Sequence, residues 1–140
     1  MIKHQAITEK IIRGYYKVYN TLGYGFLEKV YEQALCLELR NQGLHASTQQ
    51  EIEVYYEGSR VGLYYADLVV EHCVIVELKA AEGLAPEYEA QLLNYLKATD
   101  IEVGLLMNFG PKAQFKRMIF DNERKAIRDN PLDPRSSVAN

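Results

Sequence analysis

Apolar residues three or four positions apart dominate the first forty residues of the chain. Ile7, Ile11, Tyr15, Val18 and Tyr19 share this spacing, which predicts a helix over 5–20. Two glycines in the segment 22–25 then interrupt the pattern, and helical spacing resumes over 27–41. Gly43 stands where a left-handed helix cap belongs. We therefore expect two helices that pack as a pair.

Alternating and β-branched positions replace the helical period in the middle of the chain. They predict strands over 48–56, 61–70 and 73–80, with a turn at Glu57-Gly58-Ser59-Arg60. The connections between these strands are too short for parallel crossovers. The three strands should therefore form an antiparallel meander.

The helical period returns over 84–99, with Pro86 suited to the first turn of a helix. An apolar strand, buried on both faces, is predicted over 103–109 and an edge strand over 114–120, followed by a short helix over 121–128. The helix at 84–99 allows a right-handed crossover, so the strands before and after it should be parallel. The prediction is an α+β, sandwich-like fold of order αα-βββ-α-ββ, whose central mixed sheet is flanked by helices.

Composition fits one globular domain over 1–128, followed by a polar segment over 129–140 that reads as a disordered tail. Cys36 and Cys73 lie in apolar patterns and are expected to be buried, reduced thiols of a cytoplasmic protein. We expect no membrane span, because no apolar run is long enough. The net charge of -3 gives no whole-protein electrostatic argument for nucleic-acid binding.

Three charged residues interrupt the central strands where apolar residues are expected, namely Asp67, Glu77 and Lys79. Burying such groups is costly unless they pair or bind a metal. Glu77 and Lys79 are two apart and share a strand face. A two-residue loop at Glu71-His72 would turn Asp67 away from Glu77, whereas a three-residue loop places them opposite each other. Glu-His suits a type I′ turn poorly, so we expect an odd-length loop, or a bulge near Asp67.

Two carboxylates on adjacent strands repel each other, and a divalent cation relieves that repulsion. Asp67, Glu77 and the carbonyl of Leu78 provide the few oxygen ligands that Mg²⁺ prefers. The histidines show no zinc-ligand spacing. Lys79 could hold a water or stabilise a phosphate. These parts suit metal-dependent hydrolysis of a phosphodiester.

Asp67 followed by Glu77-Leu78-Lys79 resembles the motif of the PD-(D/E)XK nucleases. Segment 25–31, GFLEKVY, resembles the signature of the GxxExxY proteins, a small bacterial family of that superfamily. Segment 91–95, QLLNY, resembles the QxxxY helix motif of its RecB-like members. The resemblance extends over 7–120. Ala66 stands where the name-giving proline would be, and many members of the superfamily likewise lack that proline.

The resemblance implies a restriction-endonuclease-like core and a site that holds Mg²⁺ or Mn²⁺. Asp67 and Glu77 would be metal ligands and Lys79 would position the attacking water. Glu28 would add a further acidic group. Gln91 and Tyr95 would line the site. Nucleic acid would be the substrate, DNA in preference to RNA. A homodimer is possible, with the edge of the fifth strand as one route.

Each of these residues also has an ordinary structural interpretation. Glu77 and Lys79 could be a solvated strand face, and Asp67 could pair with Lys79. Glu28 could be an acid favoured at a helix N-terminus, and Tyr95 a core residue. Lys112, Lys116 and Arg117 could contact phosphates or merely add surface charge.

Two functional alternatives follow from the same residues. The chain could be a non-catalytic nucleic-acid-binding or assembly module that retains the nuclease fold, which the acidic net charge favours. It could also be a phosphodiesterase that acts on a small nucleotide in a closed pocket.

Overall fold

A computed structural model describes residues 2–126 of the chain. Its helices are α1 (Gln5–Leu22), α2 (Glu28–Asn41) and α3 (Pro86–Ala98), and its strands are β1 (Ala46–Tyr56), β2 (Ser59–Val70), β3 (Val74–Lys79), β4 (Val103–Phe109) and β5 (Ala113–Ile119). The predicted order and the α+β class are confirmed. The predicted tail over 129–140 lies outside the described residues.

The element ends differ from the predictions where local backbone chemistry decides them. α1 continues to Leu22, where Gly23 adopts a φ of 68°. α3 begins only at Pro86, which occupies the start of the helix. The short helix predicted over 121–128 is present among the described residues only as a 3₁₀ helix over Asn122–Arg124. Residues 127 and 128 lie outside them.

The five strands form one mixed sheet in the order β1-β2-β3-β4-β5. Neighbouring strands are antiparallel except for β3 and β4, which run parallel as the crossover through α3 requires. β4 is buried along its whole length, whereas β5 is mostly exposed at the edge. The meander, the parallel pair and the edge strand are thus confirmed.

Helices cover both faces of the sheet. On one face α1 and α2 pack against the sheet in the larger apolar layer, which we call the α1/α2 layer; it includes Ile11, Leu35, Leu68, Val76 and Leu105. On the other face α3 packs in a second layer, the α3 layer, which includes Ile52, Ala66, Ile75, Leu92 and Leu106. This division decides which helix each strand residue faces.

Tyr31 fixes the loop that leads into α2. Its ring stacks on Phe109, with centroids 4.2 Å apart. Its hydroxyl donates to the Gly23 carbonyl at 2.7 Å and accepts from the Phe26 amide at 3.2 Å. Gly25, within this loop, adopts a φ of 111° that suits only glycine. Tyr31 is therefore a packing residue between helix and sheet, as its sequence context predicts.

Both cysteines are free thiols. Cys36 is buried, as expected, but Cys73 is only half-buried because it closes the loop between β2 and β3. Within residues 2–126, no helix combines the length and the apolar character that crossing a membrane requires.

Candidate active site at the divergence of two strands

The loop between β2 and β3 has the odd length that the sequence predicts. Val70 pairs with Val74, so the loop comprises Glu71, His72 and Cys73. Glu71 and His72 both adopt left-handed backbone conformations, with φ of 52° and 56°. Continuing this register brings Asp67 opposite Glu77.

Regular pairing of β2 with β3 ends just before these two carboxylates, at Leu68 and Val76. From there on, side chains span the widening gap. The backbone amide of Asp67 donates to Glu77 Oε1 at 3.0 Å. The amide of Leu78 donates to Asp67 Oδ2 at 2.8 Å. Each carboxylate thus replaces a missing backbone partner, and both are held at the point where the strands diverge.

At the level of Asp67, the side chains of β1 and β2 switch from one face of the sheet to the other. Gln49 of β1, at the position across from Asp67, has a left-handed φ of 53° and stands outside the regular pairing. Before it Ala46 packs in the α1/α2 layer, and after it Ile52 packs in the α3 layer, although both are even-numbered. In β2, Leu68 and Ala66 divide between the layers in the same way. Asp67 therefore lies where side chains from α2 and from β3 can both reach it.

Burial makes the two carboxyl groups weaker acids than usual. Glu77 is only 4% exposed. Desolvation, followed by the nearby Asp67 charge, raises its pKa to about 8. Desolvation also raises the pKa of Asp67, and the hydrogen bond from the Leu78 amide opposes that rise. Two such groups side by side produce the repulsion that a divalent cation relieves.

The chemical type of the potential metal ligands at this point suits a hard cation. They are oxygen atoms of two adjacent carboxyl groups, the ligand type that Mg²⁺ and Mn²⁺ prefer. Nowhere in residues 2–126 do three or more His, Cys, Asp or Glu side chains converge into a metal cage. A Mg²⁺ ion held by Asp67 and Glu77 would keep several waters, as is usual for this ion.

Lys79 and α3 complete the wall beside the carboxylates. The Lys79 ammonium lies 3.4 Å from Gln91 Oε1 and 4.8 Å from the centre of the Tyr88 ring. Its charge lowers the pKa values of both Asp67 and Glu77, against the larger effect of burial. The predicted residues Lys79 and Gln91 are therefore in contact with each other. They lie next to Asp67 and Glu77, which we call the acidic pair.

Tyr95 lies deeper in the same wall. It is 6% exposed and belongs to the α3 layer. Burial raises its pKa to about 12, and the charges of Glu77 and Asp67 add to the rise. Tyr95 is thus a core residue that borders the site.

Glu28 is near the site but outside the acidic pair. It is the first residue of α2, and its Oε2 lies 3.4 Å from the Ala80 amide. It also lines a cleft of about 640 Å³ that extends from the loop before α2 to the ends of β3 and β4. Its charge has only a minor effect on Asp67. This position fits both a helix N-terminal acid and a residue at the rim of the site.

The basic residues of β5 are engaged elsewhere. Lys116 forms an ion pair with Glu89 of α3 at 2.6 Å. Arg117 points to the other face of the sheet, where it donates to the Lys3 carbonyl. Lys112 is exposed beside Pro111. β4 separates all of β5 from β3, so the structure does not bring these residues to the carboxylates.

Sequence reasoning missed two residues, Glu32 and Gln49, that border the site on the side of α2. Glu32 of α2 is 3% exposed and accepts hydrogen bonds from Lys29, at 2.7 Å, and from Gln49. Gln49 Nε2 also lies 3.5 Å from Asp67 Oδ1. A signal for Glu32 exists, since Glu28, Glu32, Leu35 and Leu39 follow helical spacing and place an acid within an apolar stripe. No sequence signal reveals the left-handed Gln49.

Comparison with known proteins shows the family to which the chain belongs. The chain matches the family model of the PD-(D/E)XK nuclease superfamily over residues 5–118, and it therefore belongs to that superfamily. Members are usually nucleases and generally use a divalent metal such as Mg²⁺ or Mn²⁺. The fold is accordingly consistent with a restriction-endonuclease-like core.

A solved structure supports the fold. The crystal structure of SSO0001 superposes with a TM-score of 0.53 at 18% sequence identity. The match covers 67% of this chain and 50% of that one, so this chain spans about half of the other protein's length. No curated protein matches the sequence significantly.

Proposed function

We propose that this protein is a metal-dependent nuclease that hydrolyses phosphodiester bonds of nucleic acid. The observation that carries the proposal is the pair of carboxyl groups, Asp67 and Glu77, fixed where β2 and β3 diverge and flanked by Lys79. Segment 25–31 further supports assignment to the GxxExxY family within the superfamily. The proposed substrate is DNA in preference to RNA, and the proposed location is cytoplasmic.

In this proposal Asp67, Glu77 and the carbonyl of Leu78 hold Mg²⁺ or Mn²⁺. The ion, when bound, would polarise the phosphoryl oxygen and acidify a water. Glu28 is the further acidic group at the rim. Asp67 and Glu77 bind the ion only after the proton that they hold is lost, because a carboxyl group must be ionised to act as a ligand.

In this proposal Lys79 orients the attacking water. Gln91 accepts from its ammonium on one side and the Tyr88 ring lies under it, so the long side chain is held in one place. An ammonium fixed beside the acidic pair also stabilises the negative charge that develops on the phosphate. Gln91 is therefore the residue that positions Lys79, and Tyr95 keeps water from the layer beneath.

Two parts of the proposal concern surfaces farther from the carboxylates. Lys116 and Arg117 would contact substrate phosphates only if Lys116 left Glu89 and Arg117 left the Lys3 carbonyl. The free edge of β5 offers one route to a homodimer. Neither is needed for the chemistry at the acidic pair.

A second candidate is a non-catalytic nucleic-acid-binding or assembly module. One observation favours it: Asp67 and Glu77 each already accept a backbone amide, so the pair stabilises the diverging strands without any ion. The net charge of -3 also disfavours close approach of phosphates. This module would keep its function when the carboxyl groups lose their charge.

The deciding experiment measures cleavage of labelled DNA and RNA in Mg²⁺ and in Mn²⁺ by wild type and by near-isosteric variants. Asp67→Asn and Glu77→Gln keep an oxygen for the bridging amides while removing the charge. Both variants, and Lys79→Met, should lower the rate at least 100-fold, the scale expected when one catalytic group is lost.

Lys97→Met is the matched control, because Lys97 also lies over an aromatic ring, that of Phe120 at 5.7 Å. It should cleave like wild type. A folded wild type that neither cleaves nor binds Mn²⁺ would refute the nuclease and leave the binding module. Cleavage that survives Asp67→Asn would refute this assignment of the site.

A further inference from the structure

The hairpin of β1 and β2 extends beyond the point where β3 leaves it. β2 begins at Ser59 and β3 pairs with it only from Leu68 onward. The portion 59–66 therefore pairs with β1 on one side and, among the described strands, with none on the other. This portion ends directly before Asp67, so it forms a wall beside the candidate active site.

An aromatic ring on this wall lies on the α3 side of the sheet, next to Tyr95, which borders the site. Tyr64 lies opposite Ile52, a residue of the α3 layer, and its ring centroid is 5.8 Å from that of Tyr95. Tyr95 in turn feels the charges of both Glu77 and Asp67. A Cβ on Gly62 would lie 3.1 Å from the Tyr64 ring, so the ring rests over that glycine. Tyr64 nevertheless remains 49% exposed.

The cations at this wall already have partners: Arg60 forms an ion pair with Glu53 at 3.6 Å, and the Lys79 ammonium lies 3.4 Å from Gln91 Oε1. The net charge is -3, and the basic residues of β5 are paired with Glu89 or with a backbone carbonyl. Binding that cannot rest mainly on phosphates must use the bases. An exposed ring with firm support on one side is the group that stacks on a base, and bases offer their faces only where they are unpaired.

We propose that Tyr64 stacks on an unpaired nucleobase next to the phosphodiester at the acidic pair, which makes a single-stranded stretch the preferred substrate. This inference rests on the proposed nuclease function and adds the class of substrate. Tyr64 is then a residue that determines specificity and touches no reacting atom.

Tyr65 provides a matched control. It is the next residue of the same strand, is 46% exposed, and points to the opposite face of the hairpin. The two tyrosines have similar exposed fractions, so substituting either removes a comparable amount of exposed side chain. Only Tyr64 lies on the side of Tyr95 and the carboxyl groups.

The test measures binding, which does not require cleavage. All variants carry Lys79→Met, which slows cleavage but leaves Asp67 and Glu77 able to hold the ion; Lys79→Met alone is the parent. Fluorescence anisotropy in Mg²⁺ follows a labelled single-stranded oligonucleotide, its duplex, and the same single strand with abasic nucleotides. We expect Tyr64→Ala to bind the single strand about tenfold more weakly, in line with the loss of one stacked base. Tyr64→Phe and Tyr65→Ala should bind like the parent.

The abasic strand separates stacking from a merely structural role. It should bind the parent as weakly as Tyr64→Ala binds the intact strand, and Tyr64→Ala should not distinguish the two. Equal losses from Tyr64→Ala and Tyr65→Ala, equal parental affinity for strand and duplex, or no binding by the parent would overturn the proposal.

A second copy of the chain is the competing occupant of this wall. If Tyr64→Ala dissociates a dimer in light scattering while oligonucleotide affinity stays the same, the ring belongs to a dimer interface and the inference fails. Failure of the nuclease proposal looks different: wild type would not cleave, although Tyr64-dependent binding of the single strand persisted.

Discussion

Glu77 shows how one residue combines a structural and a chemical property. Its side chain is nearly buried and bridges to the Asp67 amide, yet its neighbour is another carboxyl group. Without an ion, the neutral form is favoured because burial and the Asp67 charge both oppose ionisation. Under the proposed function, the same residue would become a ligand once a cation took the place of its proton.

This raised pKa predicts how the stability of the metal-free protein depends on pH. The folded pKa of about 8 lies above the ordinary glutamate value of 4.5, so the folded state holds the proton more tightly than the unfolded state. The stability that this provides is complete below pH 4.5 and is lost as the pH rises towards about 8. Melting temperatures measured in chelator from pH 5 to 9 should therefore fall.

Glu77→Gln should reduce that fall, because glutamine has no proton to lose. Glu87→Gln, which changes an exposed acid at the start of α3, should leave it as in wild type. The raised pKa of Asp67 leaves a remaining slope in both variants. An unchanged slope in Glu77→Gln would contradict the assigned pKa.

At the scale of elements, the sequence predicts what depends on pattern and parity. The three-residue loop follows from the requirement that Asp67 and Glu77 meet, and the bounds of β4 follow from a largely apolar run, in which Asn108 is the polar exception. The face change of β1 and β2 does not follow, because a period of two assumes a strand that keeps its orientation. The left-handed Gln49 that accompanies it results from tertiary packing around Glu32 and Asp67.

The segment after β3 depends on an unusually close approach to the end of β4. The buried Asn108 side chain donates to the Ala81 carbonyl at 2.9 Å and accepts from its amide at 3.0 Å. Gly110 lies against the same carbonyl, where an added Cβ would be 1.8 Å from the oxygen. Because Lys79 directly precedes this segment, its position depends on the glycine.

Gly110→Ala should therefore cost about 1–3 kcal/mol in the free energy of unfolding, the range for overpacking, and should slow cleavage. Denaturant titration measures the first effect. Gly83→Ala is the control, since its nearest new contact would be an ordinary 3.8 Å from the Gln114 side chain. Equal stability of the two variants would show that the segment after β3 yields without cost.

At the scale of the whole molecule, the net negative charge determines whether the metal or the nucleic acid should bind first. An acidic protein with two carboxyl groups at its candidate site repels a phosphate until a cation is present. Metal binding should therefore precede or accompany nucleic-acid binding. In the metal-free protein at neutral pH the cation must first displace a proton from the acidic pair.

Proton release makes this exchange measurable. Titration calorimetry with Mn²⁺ at pH 7, in buffers of different ionisation enthalpy, should show release of up to about one proton per ion, since Glu77 has a pKa of about 8. The release should fade above pH 8 while affinity rises. Glu77→Gln should bind weakly and release fewer protons, whereas Glu87→Gln should behave as wild type. Binding at pH 7 without proton release, or binding that Asp67→Asn and Glu77→Gln leave intact, would place the ion elsewhere and remove the acidic pair from the metal site.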